Sequence, residues 1–175
     1  MTRPGISAQI AATAAWPGPD DDASPVPSAA SRSFSVPGEL DETLTQVLTY
    51  WNGLKRGNAE VPFADDVKLG DIWKLSNKIA LVHVLASGRL RFDVAGRQLV
   101  RSYGSDLAGR IADELPVRPP LDDFLSQCRA TIDARAPSFY RHEPAVDGHG
   151  AYGRILLPLW ADGRIAALLG AVNNW

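Results

Sequence analysis

The side chains with the widest chemical range in this sequence are three histidines and a single cysteine. His83 lies in a strongly apolar run, His142 lies in a predicted strand, and His149 lies in a glycine-rich turn. No two of them have the close helical spacing of a zinc motif, and one cysteine excludes both an intrachain disulfide and a cysteine-based zinc site. The sequence therefore predicts no metal site.

Nucleophilic and acid–base catalysis also lack their usual sequence context. Ser102 and Ser126 lie in no G-x-S-x-G turn between a strand and a helix. The pair Asp122-Asp123 is explained by the start of a helix, where the helix dipole favours negative charge. Cys128 falls on the apolar face of the same predicted helix, which favours a packing role. We therefore expect no catalytic residues and no enzymatic activity.

The composition is that of a globular protein, with 45% hydrophobic and 22% charged residues in a chain of 175. The formal net charge of −2 gives no overall field that would attract nucleic acid, and the basic residues form no stripe. No apolar run is long enough to span a bilayer. We expect a cytoplasmic protein that contacts neither nucleic acid nor membrane.

Residues 1–38 differ from the rest of the chain because they are rich in proline, serine and alanine and show no apolar periodicity. A segment of this kind cannot bury enough side chain to offset the entropy of ordering it. We predict a disordered tail, which is either passive or carries a docking peptide around Trp16.

The remaining 39–175 are predicted to form one α+β domain with a flanking helix over 40–56. Apolar residues at helical spacing define one face of that helix, and two strands joined at Ser87-Gly88 follow. Short helices, a longer helix over 121–135 and three further strands complete the order. Asp162-Gly163 is a strong signal for a two-residue hairpin. The pattern predicts a five-stranded antiparallel sheet with helices on one face.

This order resembles the PAS fold, and several segments resemble a family of stand-alone bacterial PAS-like proteins. The matching segments are LTYW at 48–51, LRFDVAG at 90–96, YGSDLAGR at 103–110 and YGRILLPL at 152–159. The resemblance runs from about residue 40 to the C-terminus. It departs from the family before the first strand, where Leu75-Ser76-Asn77 replaces a Leu-Pro step.

The resemblance implies a space between the sheet and the short helices that either holds a small molecule or is filled by side chains. The residues that we place there are Phe92, Tyr103, Phe124 and Leu157, with Arg154 as a polar anchor. The cofactor is unknown. Haem is disfavoured because 121–135 contains no histidine, and flavin is disfavoured because only Cys128 resembles part of the flavin-binding motif.

The resemblance also implies a sensory or regulatory module in bacterial signal transduction that binds a small molecule or a protein partner, such as a signalling protein or a second copy. The expected interface on the opening helix comprises Leu44, Val47, Trp51 and Leu54. Two alternatives stay open: a small cone-shaped α+β enzyme, and a structural interaction module with a filled core. Because Pro158 cannot donate to a strand ladder, we also predict a bulge or a gap in the ladder beside it.

Overall fold

The computed structural model describes residues 34–143 and 150–174. Its helices are α1 (Glu42–Gly53), α2 (Arg97–Tyr103) and α3 (Phe124–Ala134), with short 3₁₀ segments at Ala64–Asp66, Leu69–Lys78 and Ala112–Glu114. Its strands are β1 (Ile79–Val84), β2 (Leu90–Ala95), β3 (Ser138–His142), β4 (Tyr152–Ala161) and β5 (Arg164–Asn174). Within these residues, no helix combines the length and apolar character needed to cross a membrane.

The five strands form one antiparallel sheet in the order β2-β1-β5-β4-β3. This order confirms the predicted PAS-like α+β fold. The tight turn between β4 and β5 is confirmed as well, because Asp162 and Gly163 have φ values of 51° and 75°. Positive φ at both central residues is the geometry of a type I′ hairpin turn, whose twist matches that of the flanking strands.

Helices cover both faces of the sheet, which divides the core into two layers. On one face, α2, α3 and the 3₁₀ segment Ala112–Glu114 pack over side chains such as Phe92 and Leu156. The other two 3₁₀ segments contribute Ala64 and Ile72 to the layer on the opposite face. On the other face, α1 packs over alternate residues of β4, including Ile155 and Leu159. Because both faces are covered, β4 and β5 are apolar almost throughout, as is typical of doubly covered strands.

The first turn of the flanking helix α1 is capped and is linked to the sheet. The carboxylate of Asp41 caps its first turn by accepting from the backbone N–H of Leu44 at 3.2 Å. Near the same end, Lys78 Nζ donates to Thr43 Oγ1 at 3.2 Å and also bonds Asn173 on β5. These contacts hold α1 against the central strands of the sheet.

The strand that contains Pro158 is irregular at the predicted place. The pairing of β3 with β4 ends at Leu156, and the register between β4 and β5 shifts between Leu159 and Trp160. Both observations confirm the prediction for this proline. The carbonyl oxygen of Pro158 instead accepts a buried hydrogen bond of 2.8 Å from Trp51 Nε1 on α1.

Trp51→Phe should therefore destabilise the domain by about 1–3 kcal/mol, the cost of leaving a buried carbonyl without a donor. The matched control is Trp73→Phe, because Trp73 is 66% exposed and its removal leaves the buried carbonyl of Pro158 bonded. Urea denaturation followed by far-ultraviolet circular dichroism measures both changes. Equal stability of the two variants would contradict a structural role for the indole N–H.

Both edges of the sheet are covered by the chain itself. At the β3 edge, the N–H of Phe139 donates to the carbonyl of Phe34 at 2.8 Å. At the β2 edge, the N–H of Phe92 donates to the carbonyl of Arg110, and Gly109 N–H donates back to Phe92. Neither edge therefore offers a bare row of backbone groups.

Two predictions concern residues outside the described ranges. The predicted disordered tail falls largely on residues 1–33, and the glycine-rich turn at 147–150, which contains His149, falls largely on 144–149. The described chain begins at Phe34, inside the predicted tail, and the ring of this residue lies 6.4 Å from that of Tyr140. Phe34 thus packs on the domain, although it lies before the predicted domain boundary.

Candidate functional site

Aromatic side chains occupy much of the space between the sheet and the helices. The rings of Phe92 and Phe124 stack with their centroids 5.3 Å apart, and Phe92 is fully buried. Tyr103 is also buried, and its hydroxyl donates to the carbonyl of Pro116 at 2.8 Å. Three of the predicted pocket residues thus lie together, packed against one another and against the surrounding core.

Leu157 lies elsewhere. It is fully buried in the layer beneath α1, on the opposite face of the sheet from Phe92 and Phe124. The reason is the alternation of side chains along β4, which places residues 154 and 157 on opposite faces. Its predicted position beside Arg154 is therefore corrected.

Arg154 is the polar centre of this side of the core and is only 1% exposed. Its Nε donates to Gln127 Oε1 at 2.7 Å, Nη1 donates to the carbonyl of Pro120 at 2.5 Å, and Nη2 donates to the carbonyl of Asp122 at 2.9 Å. The guanidinium therefore joins β4 to the loop before α3 and to α3 itself. It points inward, and three of its N–H groups donate to the chain's own acceptors.

Two aromatic rings contact this buried cation. The guanidinium carbon lies 4.7 Å from the ring centroid of Tyr140 and 5.2 Å from that of Phe124. Burial lowers the pKa of Arg154 to about 10, so the group is still protonated at neutral pH. Ring faces and carbonyl dipoles partly replace the water that the charge has lost.

A second cluster of polar side chains surrounds the carboxylate of Asp122. Its Oδ2 accepts from the Tyr140 hydroxyl at 2.6 Å and lies 3.0 Å from Nδ1 of His142, and Tyr152 donates to Oδ1. Burial, followed by the hydrogen bond to Asp122, raises the pKa of Tyr140, so its hydroxyl remains a donor. The imidazole of His142 stacks on Tyr152 with centroids 4.9 Å apart.

This cluster was not predicted, although part of its signal is local. Tyr140 and His142 are two residues apart on a strand and therefore share a face. Asp122 was assigned to a helix start, and its contacts with β3 and β4 depend on the tertiary fold. In the part of the chain that the structure describes, no group of three histidine, cysteine or acidic side chains could hold a metal ion.

Gln127 and its neighbours on α3 complete the buried polar network. Gln127 Nε2 donates to the backbone carbonyl of Ser138 at 3.2 Å and to that of Arg154 at 3.3 Å. On the same helix, burial raises the pKa of Cys128 to about 12, so its thiol does not ionise at neutral pH. The position of Cys128 is that of a packing residue.

A surface cleft of about 230 Å³ adjoins this core where α3 meets the loop before it. Its lining is mostly apolar and includes Leu115, Val117, Leu121 and Phe124. Pockets for drug-sized ligands typically measure roughly 300–1,000 Å³, so this cleft is small for such a molecule. Phe124 is the predicted pocket residue that reaches it.

The predicted interface residues on α1 are mostly used within the chain. Leu44 and Val47 are fully buried, and Trp51 is 1% exposed, all beneath the helix and against the sheet. Leu54 is half-buried. A partner that contacts the first three would require α1 to leave the sheet.

No family model and no curated protein match this sequence. Among solved structures, it is similar to a fungal LOV-domain photoreceptor at 20% identity, over 78% of this chain and 92% of that chain, with a TM-score of 0.44. It is also similar to a PAS domain of a protein from Colwellia psychrerythraea at 17% identity, over 61% and 96%, with a TM-score of 0.38. Because both likenesses are distant, the fold class rests on the strand order.

Proposed function

We propose that this chain is a PAS-like regulatory module of bacterial cytoplasmic signal transduction that acts through contact with a protein partner. The observation that carries the proposal is the filled interior. Phe92, Phe124 and the guanidinium of Arg154 occupy the side of the sheet where the fold would place a small molecule. A module whose interior is filled needs another route for its signal, and surface contact provides one.

A small-molecule ligand in the interior is less well supported. To enter, it would have to displace Arg154 from its three acceptors and from two aromatic rings. Each buried acceptor left without a donor costs about 1–3 kcal/mol, so displacement would consume much of a ligand's binding free energy.

The alternative of a small enzyme would need His83 and an aspartate that face each other in an open cavity. His83 lies opposite Arg91 on β2 and Ala167 on β5, not opposite an aspartate. His142 does contact Asp122, but Tyr140 and Tyr152 bind the same carboxylate. We therefore prefer a regulatory function to a catalytic one.

The partner in this proposal is another signalling protein or a second copy of the chain. The side of α1 that faces away from the sheet, with half-buried Leu54 at its end, stays part of the proposed contact surface. Leu44, Val47 and Trp51 would join it only if α1 moved.

Native mass spectrometry of the chain purified from its own host tests the proposal. We expect a complex with a second copy or with another protein at fixed stoichiometry, and no apolar small molecule bound in the interior. A stoichiometric apolar small molecule that is released on denaturation would contradict the filled interior. A bare monomer without any partner would contradict the contact mechanism.

A further inference from the structure

A polar cleft of about 490 Å³ lies where the second 3₁₀ segment, α2 and the end of β5 meet. Its lining contains amide, hydroxyl and guanidinium groups and no acidic residue: Asn77, Arg97, Gln98, Arg101, Ser102 and Asn174. It is separate from the polar cluster around Asp122 and from the filled interior. Its volume is within the range of small-ligand sites, roughly 300–1,000 Å³.

The cleft contains two cations that have no acidic partner among the described residues. Arg97 and Arg101 are four residues apart on α2, so their side chains emerge on the same side, with Cβ atoms about 6 Å apart. Both are exposed. Across residues 34–143 and 150–174, neither forms an ion pair, whereas Arg89 binds both Asp113 and Glu114.

Backbone and side-chain contacts fix the walls of this cleft. The N–H of Gly96, directly before α2, donates to the carbonyl of Ile79 at 2.7 Å. A Cβ at Gly96 would lie 2.3 Å from the carbonyl oxygen of Asn77, so α2 and the 3₁₀ segment are in close contact. On the other side, Asn174 Nδ2 donates to Ser102 Oγ at 3.2 Å. The two arginines thus project from a fixed frame.

We propose that this cleft binds the phosphate group of a small phosphorylated molecule. A guanidinium presents paired N–H donors that match two oxygens of a phosphate, and two of them offset the charge of a phosphate dianion. Binding also relieves the repulsion between Arg97 and Arg101. Asn77, Gln98 and Asn174 supply neutral donors and acceptors for the rest of the ligand.

A small molecule fits this surface better than a nucleic acid does. A polymer of phosphates is held by many cations along its length, whereas this cleft offers two. The net charge of the chain is −2, so no wider field supports a polyanion. The inference does not depend on the proposed signalling function, since the residues that line the cleft belong neither to α1 nor to the filled interior.

Isothermal titration calorimetry of the full chain with sodium pyrophosphate and with ADP tests the site, with adenosine as the ligand without phosphate. The Arg97→Gln/Arg101→Gln double variant should weaken binding of both phosphates by at least about tenfold, since it removes two charge-assisted contacts. Glutamine keeps a good helix propensity, so the fold should be retained, which circular dichroism verifies. The matched control is Arg129→Gln, an exposed arginine of α3 outside the cleft, which should bind as the unmodified chain does.

Four results would overturn the site. They are no binding of pyrophosphate to the unmodified chain, undiminished binding by the folded double variant, equal binding of adenosine and ADP, and equal weakening by Arg129→Gln. Duplex DNA or vesicles of anionic lipid could instead bind more tightly than pyrophosphate and lose this binding in the same double variant. That result would show that the cleft binds a polymer or a membrane and not a small molecule.

Discussion

Arg154→Met is expected to destabilise the domain by about 3 kcal/mol or more. Methionine keeps much of the apolar packing against Phe124, but it removes the donors to Gln127 Oε1 and to the carbonyls of Pro120 and Asp122. Those acceptors would stay buried without partners. Guanidinium denaturation followed by circular dichroism measures the loss.

The neighbouring strand offers a matched control. Arg164→Met removes a single hydrogen bond, to the carbonyl of Val84 at 2.9 Å, from a residue that is only half-buried. Its cost should be about 1 kcal/mol or less. A double-mutant cycle with Gln127→Leu should show that the two losses are less than additive, because both single changes break the same bond between Arg154 and Gln127. Fully additive losses of stability at Arg154 and Gln127 would contradict the role of Arg154 as the centre of the buried polar network. Equal losses of stability for Arg154→Met and Arg164→Met would contradict it as well.

Gly96→Ala should destabilise the domain by about 3 kcal/mol. The added methyl group would lie 2.3 Å from the carbonyl oxygen of Asn77 and 2.4 Å from its carbonyl carbon, so backbone must move. The matched control is Gly53→Ala at the end of α1, where no atom lies within 4 Å of the added Cβ. This change should stabilise the domain slightly, by about 0.5 kcal/mol, because alanine restricts the unfolded chain.

Thermal and urea denaturation of the two alanine variants should therefore give shifts of opposite sign. A Gly96→Ala variant as stable as Gly53→Ala would show that α2 and the preceding 3₁₀ segment can separate easily. The wall of the polar cleft that carries Arg97 and Arg101 would then not be rigid.

Local patterns predicted much of the fold. Apolar spacing identified the inner face of α1, the dipeptide Asp162-Gly163 identified a hairpin, and the missing N–H of Pro158 identified the irregular part of β4. Each of these features depends on residues close together in sequence. The pattern of α1 did not show which surface its apolar face would cover, since that choice is made by tertiary packing.

The candidate site was less predictable because its contacts are long-range. The alternation of side chains along a strand was enough to predict that Arg154 and Leu157 lie on opposite faces of the sheet. The acceptors of Arg154, however, come from a loop and a helix some thirty residues earlier, at Pro120, Asp122 and Gln127. No local periodicity encodes such a set of partners. The cleft around Arg97 and Arg101 was not predicted either, because its other walls, at Asn77 and Asn174, come from distant parts of the sequence.

The coverage of both sheet edges restricts how this protein can associate. Phe34 at one edge and Arg110 at the other accept backbone hydrogen bonds that an added strand would otherwise use. Growth of the sheet from copy to copy, the usual route to aggregation in β-proteins, must first displace these segments. We therefore expect the proposed partner contact on a helical surface, where association needs no such displacement.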